Sequence, residues 1–363
     1  MMDTPAVVID HSKLTANIEQ MAEKIKATKV NLRPHIKTHK LPWIAKKQLE
    51  AGAVGITSAK VTEARVMADH GIKDIFIAYP LVTEQKIEAA IDLNNRIRLI
   101  VAADSLKGAE LLSLAAGRNN TKFEIRLEVD TGLRRTGIPY DQAVELAKQI
   151  DNLPNLRLTG IYTFRGPVLN GQSTLNVQEA GREEGQIMVA LAEQIRAEGI
   201  SIRDVSVGST QTSAYAAEVP GVTEVRPGTY VFYDAMQEQY GCCTEEECAA
   251  TVLATVVSRP SKDLAIIDGG SKTFATDVQP TSSPIKLEGF GKVVGHPNVT
   301  FKDMKEEHGI FHIEGESDLQ IGDVVEIIPN HICSTVNLHN QVFIKDDKGQ
   351  YERFPVLARG KLQ

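Results

Sequence analysis

Two short strings hold the residue types that could do covalent or metal chemistry. The first is ArgProHisIleLysThrHisLys, residues 33–40, where Lys37 is crowded along the chain by Arg33, His35, His39 and Lys40. Neighbouring cations and partial burial lower an ammonium pKa, which is what an imine-forming lysine requires; the competing reading is a solvated basic loop. The second string is ProAsnHisIleCys, in which His331 and Cys333 stand two residues apart and would share one side of an extended segment. An imidazole and a thiolate on one face suit Zn²⁺, with water or substrate completing the coordination. A core histidine beside a buried cysteine explains the same spacing.

Three further strings have chemical content. ValGlySerThrGlnThr carries Gly208, Ser209 and Thr210, and ArgProGlyThrTyr carries Gly228 and Thr229. Small-residue loops of this kind next to a helix start hold phosphate when they follow the seventh and eighth strands of a βα barrel, and are otherwise plain turns. AspThrGlyLeuArgArgThrGly supplies Asp130, Arg134 and Arg135, which alone read as a surface ion pair.

The elements that must position these residues follow from periodicity. Between residues 28 and 235, apolar or β-branched runs starting at Lys29, Ala53, Asp74, Arg96, Lys122, Arg157, Arg203 and Thr223 alternate with amphipathic stretches. That alternation is the pattern of βα units, and eight of them predict a closed parallel barrel whose chemistry collects where the strands end. The helical stretches include Pro42–Leu49, Val61–Ala68 and Val177–Glu198, the last with Met188, Leu191, Ala192 and Ile195 on one face.

Beyond the turn-rich segment Glu238–Glu247 the texture changes to closely spaced strands divided by Gly, Pro and Asp, which predicts an antiparallel β-domain. The expected fold class is therefore α/β: a (β/α)8 TIM-like barrel over residues 10–236, then a C-terminal antiparallel β-domain over 237–363. Residues 1–9 are open to either part; a strand over Pro5–Ile9 that joins the β-domain is the reading adopted.

Composition narrows the partners. A formal net charge of −7, with Lys and Arg scattered rather than striped, argues against nucleic acid. No apolar run reaches the roughly 20 residues that a membrane helix needs, and no signal pattern precedes the first strand, so a cytoplasmic protein without a membrane partner is expected. Cys242, Cys243 and Cys248 lack metal-ligand spacing and are read as inert, while Trp43, His11, His70 and His296 are assigned to packing or surface.

These strings, together with GluValArgProGly and GluGluHisGly (residues 306–309), resemble in order the D-threonine aldolase and D-serine dehydratase family, whose members have the alanine-racemase fold of pyridoxal 5′-phosphate enzymes. The resemblance implies a pyridoxal phosphate cofactor held in the barrel on Lys37, the first lysine of the motif. It implies Arg135 at the cofactor's phenolate oxygen, Gly208, Ser209, Thr210, Gly228 and Thr229 around its phosphate, and Arg226 facing its ring nitrogen. An arginine there leaves that nitrogen unprotonated and weakens the electron sink, which makes a metal acting on the substrate hydroxyl useful. His331 and Cys333 match the family's metal ligands; their softness favours zinc, with manganese the alternative. Phe164 stands where a Tyr or His is expected beside the cofactor, and a phenyl ring stacks but relays no proton.

The implied activity is that of a lyase on a small D-configured 3-hydroxy amino acid: retro-aldol cleavage to glycine and an aldehyde, with metal-bound hydroxide or His308 taking the hydroxyl proton. The ThrValAsnLeu that follows the metal motif leans toward this branch. A D-serine or 3-hydroxyaspartate dehydratase would share every residue, with Lys37 taking the Cα proton. A racemase, which needs bases on both cofactor faces, and a non-catalytic cofactor-binding protein made of the bare barrel are the remaining alternatives. A homodimer is implied by family habit.

Overall fold

The parallel strands form where the apolar runs lie. The computed structural model describes residues 2–281 and 283–363. After β1 (Ala6–Asp10) and α1 (His11–Lys26), the chain alternates β2 (Asn31–Leu32), α2 (Pro42–Glu50), β3 (Ile56–Ser58), α3 (Val61–Asp69), β4 (Asp74–Pro80), α4 (Glu84–Asn94), β5 (Arg98–Ala103), α5 (Leu106–Arg118), β6 (Phe123–Asp130), α6 (Ala143–Asp151), β7 (Leu156–Tyr162), α7 (Val177–Ala197), β8 (Asp204–Val207), α8 (Ser213–Ala216) and β9 (Glu224–Val225). Each of the eight expected runs contains one strand of the parallel sheet, in the order β2-β9-β8-β7-β6-β5-β4-β3. The two edge strands are joined by a parallel bridge between His35 and Thr57, with Val54 N–H donating to the Leu32 carbonyl at 2.9 Å. The expected TIM-like closure is thereby made by Leu32 and Thr57 of the edge strands with His35 and Val54 just outside them.

The helices cover the sheet with the faces that their sequences mark. In α7, Met188, Leu191, Ala192 and Ile195 are all fully buried, and Asn176 caps the helix by accepting the Glu179 N–H at 3.2 Å. Inside the barrel Phe76 and Tyr162 pack edge to face at 4.9 Å, with Ile100 and Ala102 beside them.

The second half builds α9 (Ala235–Gln239), β10 (Ala250–Ser261), β11 (Leu264–Ile267), β12 (Gly291–Val293), β13 (Val299–Met304), β14 (Gly309–Ile313), β15 (Val324–Pro329), α10 (Ile332–Leu338), β16 (Gln341–Lys345) and β17 (Tyr351–Pro355). Strands β11-β14-β13-β12-β15-β10 form an antiparallel barrel closed by β10–β11 pairing, and β1, β16 and β17 extend it. The rings of Phe274, Phe301 and Phe311 fill its core at centroid separations of 5.0 and 5.4 Å. The strand expected over Pro5–Ile9 is β1, which runs antiparallel to β10 and parallel to β16.

The chain divides into two compact units. Residues 2–19, Thr38–Leu41 and Thr229–Arg359 form the antiparallel one; Gln20–Lys37, Pro42–Gly228 and Gly360–Gln363 form the parallel one. Two local expectations are corrected. Cys333 does not lie in an extended segment: it is the second residue of helix α10, while His331 keeps extended dihedrals as its N-cap. Arg33 does not crowd Lys37; its guanidinium pairs with Asp74 and, at 2.7 Å, with Glu224, because its side chain runs back to where the strands begin.

Candidate functional site

In the parallel unit, three loops that follow strand ends converge on one ring. Lys37, half-buried after β2, places Nζ 5.1 Å from the centre of the Phe164 ring beyond β7. Arg135, in the loop after β6, places its guanidinium carbon 4.9 Å from the same ring. Cations over a phenyl face are attracted by the ring quadrupole, so Phe164 gathers the two groups while offering no exchangeable proton. The Lys37 N–H donates to His35 Nδ1 at 3.3 Å.

The loop that carries Arg135 is shaped by Asp130. Its Oδ1 accepts the N–H groups of Gly132 and Arg134 at 2.9 and 3.0 Å. This replaces the ion pair read from the sequence: a short acid reaches its own backbone more readily than a neighbouring guanidinium.

The loops after β8 and β9 also meet. Gly228 N–H donates to Thr210 Oγ1 at 3.2 Å, and Ser209 N–H to Thr212 Oγ1 at 2.9 Å. Gly208 has φ +83°, and a Cβ there would stand 2.9 Å from Ser213 Cα, so no other residue fits this turn without displacing backbone. Gly208, Ser209, Thr210 and Gly228 thus share one cradle. Thr229 belongs to the antiparallel unit, and its hydroxyl lies 3.4 Å from Cys333 Sγ.

Arg226 is almost fully buried. Its Nη1 donates to Ser206 Oγ and its Nη2 to the Thr163 carbonyl, while its guanidinium carbon stands 5.2 Å from the centre of the Tyr162 ring. Burial pushes this guanidinium below its ordinary value, against the pull of Glu224.

In the antiparallel unit, His331 and Cys333, the N-cap and the second residue of α10, are close enough to interact electrostatically. His331 Nδ1 is 2.7 Å from Asp277 Oδ2, which also accepts from Ser334 Oγ at 2.7 Å. Thr38 Oγ1 lies 3.1 Å from Cys333 Sγ. Burial pushes the Cys333 thiol up, but His331 beside it outweighs burial and leaves it below the usual thiol value. Burial works against the charged imidazole too, yet Cys333 and Asp277 hold His331 well above its ordinary value. Asp234 fixes the turn by accepting the Ile332 N–H at 3.0 Å, and burial pushes its carboxyl up to about 6.

The donor set fits a divalent metal. Asp277 takes Nδ1, which leaves Nε2 for a metal and sets the ring orientation, as partners of ligating histidines do. A thiolate-favouring cysteine supplies the second donor, and no third His, Cys, Asp or Glu completes a cluster among the described residues. Two protein ligands leave positions open, the character of a reactive site rather than a closed structural one. His308 is exposed at the β13–β14 turn, and among the described residues no hydrogen bond joins it to this pair.

Asp277, Thr38, Asp234, Ser206 and Glu224 were missed by sequence reasoning. Thr38 follows Lys37 and was available as a polar neighbour; Asp277 lies 54 residues from His331 and has no local signal.

Residues 9–235 match the family "Alanine racemase, N-terminal domain", and residues 249–345 match "Putative serine dehydratase domain". The chain is 30% identical to a D-threonine aldolase of Arthrobacter sp over 99% of its own length and 93% of the relative's. It is 33% identical to a D-threo-3-hydroxyaspartate dehydratase of Delftia sp. strain HT23, over 92% of each. The solved structure of that dehydratase superposes with a TM-score of 0.90 over 98% of this chain and 97% of the other, at 31% identity. A cysteine-to-alanine variant of it is solved in the metal-free form. A D-threonine aldolase structure from Filomicrobium marinum gives a TM-score of 0.88 at 29% identity, covering 99% and 96%.

Proposed function

Because this chain belongs to the family of the alanine racemase N-terminal domain, we propose that it is a pyridoxal-phosphate lyase that cleaves a small D-configured 3-hydroxy amino acid to glycine and an aldehyde. One observation carries the reading as a lyase rather than a racemase: His331 held through Nδ1 by Asp277, with Cys333 against it, is a two-donor metal seat in the second half of the chain. When bound, pyridoxal phosphate supplies the electron sink and a divalent ion the Lewis acid for the substrate hydroxyl.

The chain's own residues divide the remaining work. Lys37 would provide the amine that holds the cofactor. The loops of Gly208, Ser209, Thr210 and Gly228 would cradle the phosphate by their shape, since the Ser209 and Gly228 N–H groups already donate to Thr212 Oγ1 and Thr210 Oγ1. Arg135 and Phe164 would border the cofactor's ring, and Arg226 would face its nitrogen. His331 and Cys333 would hold the ion, and the soft sulfur favours zinc over manganese. His308 would take the hydroxyl proton, as the family resemblance suggests; His308→Ala should lower kcat and leave cofactor binding intact.

Dehydration is the second reading, favoured by the 33% identity to a 3-hydroxyaspartate dehydratase. The test is to give purified protein with pyridoxal phosphate D-threonine, D-serine or D-threo-3-hydroxyaspartate, with and without a chelator, and to assay glycine, aldehyde, oxo acid and ammonia. Glycine with aldehyde, lost on chelation, supports the aldolase. Oxo acid with ammonia replaces it by the dehydratase, and turnover only to the L-isomer defeats both.

A further inference from the structure

The fully buried ionic cluster beneath Arg226 has a construction that its stability role does not require. Glu224 Oε1 accepts from Arg126 Nη1 at 2.5 Å and from Ser206 Oγ at 2.7 Å. Its Oε2 accepts from Arg126 Nη2 at 3.1 Å and from Arg33 Nε at 2.7 Å. Four donors fill the sites of one carboxylate, so it has no place left for another guanidinium. Arg226 stands next in line and instead meets the neutral Ser206 hydroxyl and the Thr163 carbonyl. Ser206 is itself fully buried and points its proton at Glu224, which leaves a lone pair for Arg226.

We propose that Ser206 is a positioning residue that holds Arg226 away from Glu224, so that an unneutralised guanidinium is presented to the pyridine nitrogen of the cofactor. This rests on the pyridoxal-phosphate reading given above. Arg226 pinned directly to a carboxylate would offer that nitrogen a screened and misdirected donor; one separated from it by a hydroxyl keeps its charge for the ring. Removing the hydroxyl frees an Arg226 donor and a Glu224 acceptor at the same moment, and the two then pair. The ring nitrogen loses its partner although neither charged residue has been changed.

The experiment loads wild-type, Ser206→Ala and Ser206→Thr proteins with pyridoxal phosphate labelled with ¹⁵N in the ring. It records the ring-nitrogen chemical shift, kcat and KM on the substrate that the wild type turns over, and thermal unfolding. In Ser206→Ala the shift should move toward that of free, unprotonated pyridoxal phosphate and kcat should fall roughly tenfold with KM within about twofold. Ser206→Thr, which keeps the hydroxyl, should restore both. A Ser206→Ala protein that melts lower but keeps the wild-type shift and kcat shows a merely structural serine and overturns the proposal. If Ser206→Ala does not fold, Ser206→Cys takes its place: a displaced shift supports the proposal and an unchanged one overturns it. Wild-type protein that takes up no labelled cofactor defeats the underlying reading before any variant is compared.

Discussion

Where the parallel strands begin, Arg33, Arg126 and Arg98 meet Asp74, Glu224, Asp204 and Glu124 in a continuous set of ion pairs. Where the same strands end, Lys37 and Arg135 lie over the Phe164 ring, and Gly208 and Arg134 adopt positive φ in the loops. One end answers its charges internally; the other is given to shape and to cations that face an aromatic surface. In βα barrels these ends hold stability and chemistry respectively. Substitutions at the two should therefore move different observables, and Ser206, where the networks touch, should move both.

The largest effect is expected at Lys37. Lys37→Ala should abolish the visible absorbance of bound cofactor and lower turnover by more than about 10³-fold, as loss of a covalent anchor does. The ion pairs at the other end are untouched, so the urea midpoint of the cofactor-free protein should stay at the wild-type value. A variant that retained the cofactor band would move the anchor to another lysine.

Next comes the buried cluster. Arg126→Ala takes two hydrogen bonds from Glu224 and one from Asp204, and leaves a fully buried carboxylate with Arg33 as its remaining guanidinium partner. Breaking such a pair costs about 3–5 kcal/mol. The cost should appear in urea unfolding of the cofactor-free protein, while the loaded variant keeps its anchor absorbance. The sign with pH follows from the same residue. Arg126 and Arg33 hold the Glu224 carboxyl far below its ordinary 4.5 despite burial, so its contribution is complete above pH 4.5 and is lost as the pH falls further. Glu124 and Asp204, whose partners also outweigh burial, act in the same direction. Urea midpoints that did not fall between pH 7 and pH 3.5 would remove the cluster from the list of stabilising features.

The eight parallel strands were legible because doubly covered strands read as short apolar runs, and α7 because its buried face recurs every three to four residues. The convergence of Lys37 and Arg135 was legible only as a common address, the mouth of a barrel. What joins them is the Phe164 ring, noticed in the sequence for the proton it lacks. The helix under Cys333 was not legible: IleCysSerThrValAsnLeu is rich in β-branched and short polar residues, and its first N–H is accepted by Asp234, 98 residues earlier. Arg33 was misplaced for a related reason. Chain neighbours suggest electrostatic neighbours, but a long side chain inside a barrel follows its buried carboxylates.

A smaller effect is expected at Gly208, where the mouth depends on backbone shape. Gly208→Ala meets both a φ of +83° and a Cβ contact of 2.9 Å with Ser213 Cα. Strain of this kind costs about 1–3 kcal/mol, and relief by shifting the loop would pull Ser209 and Thr210 from the cradle. Weaker pyridoxal-phosphate affinity, with urea unfolding of the cofactor-free protein changed by no more than that cost, is the expected result. Equal affinity would mean that the cradle holds no phosphate.

The smallest effect sharpens the comparison from the other side. Arg98 pairs with Asp74 at 2.7 Å and Glu124 at 3.0 Å, in the same network as Arg126, but its side chain is 39% exposed. Water screens these pairs and substitutes for them, and exposed pairs contribute about 0.2–1 kcal/mol. Arg98→Ala should therefore shift the urea midpoint far less than Arg126→Ala, with the difference shrinking at high salt, and should leave turnover unchanged. A loss as large as that of Arg126→Ala would mean that the network acts as one unit whose rim and core are coupled, and exposure would then no longer separate its strong pairs from its weak ones.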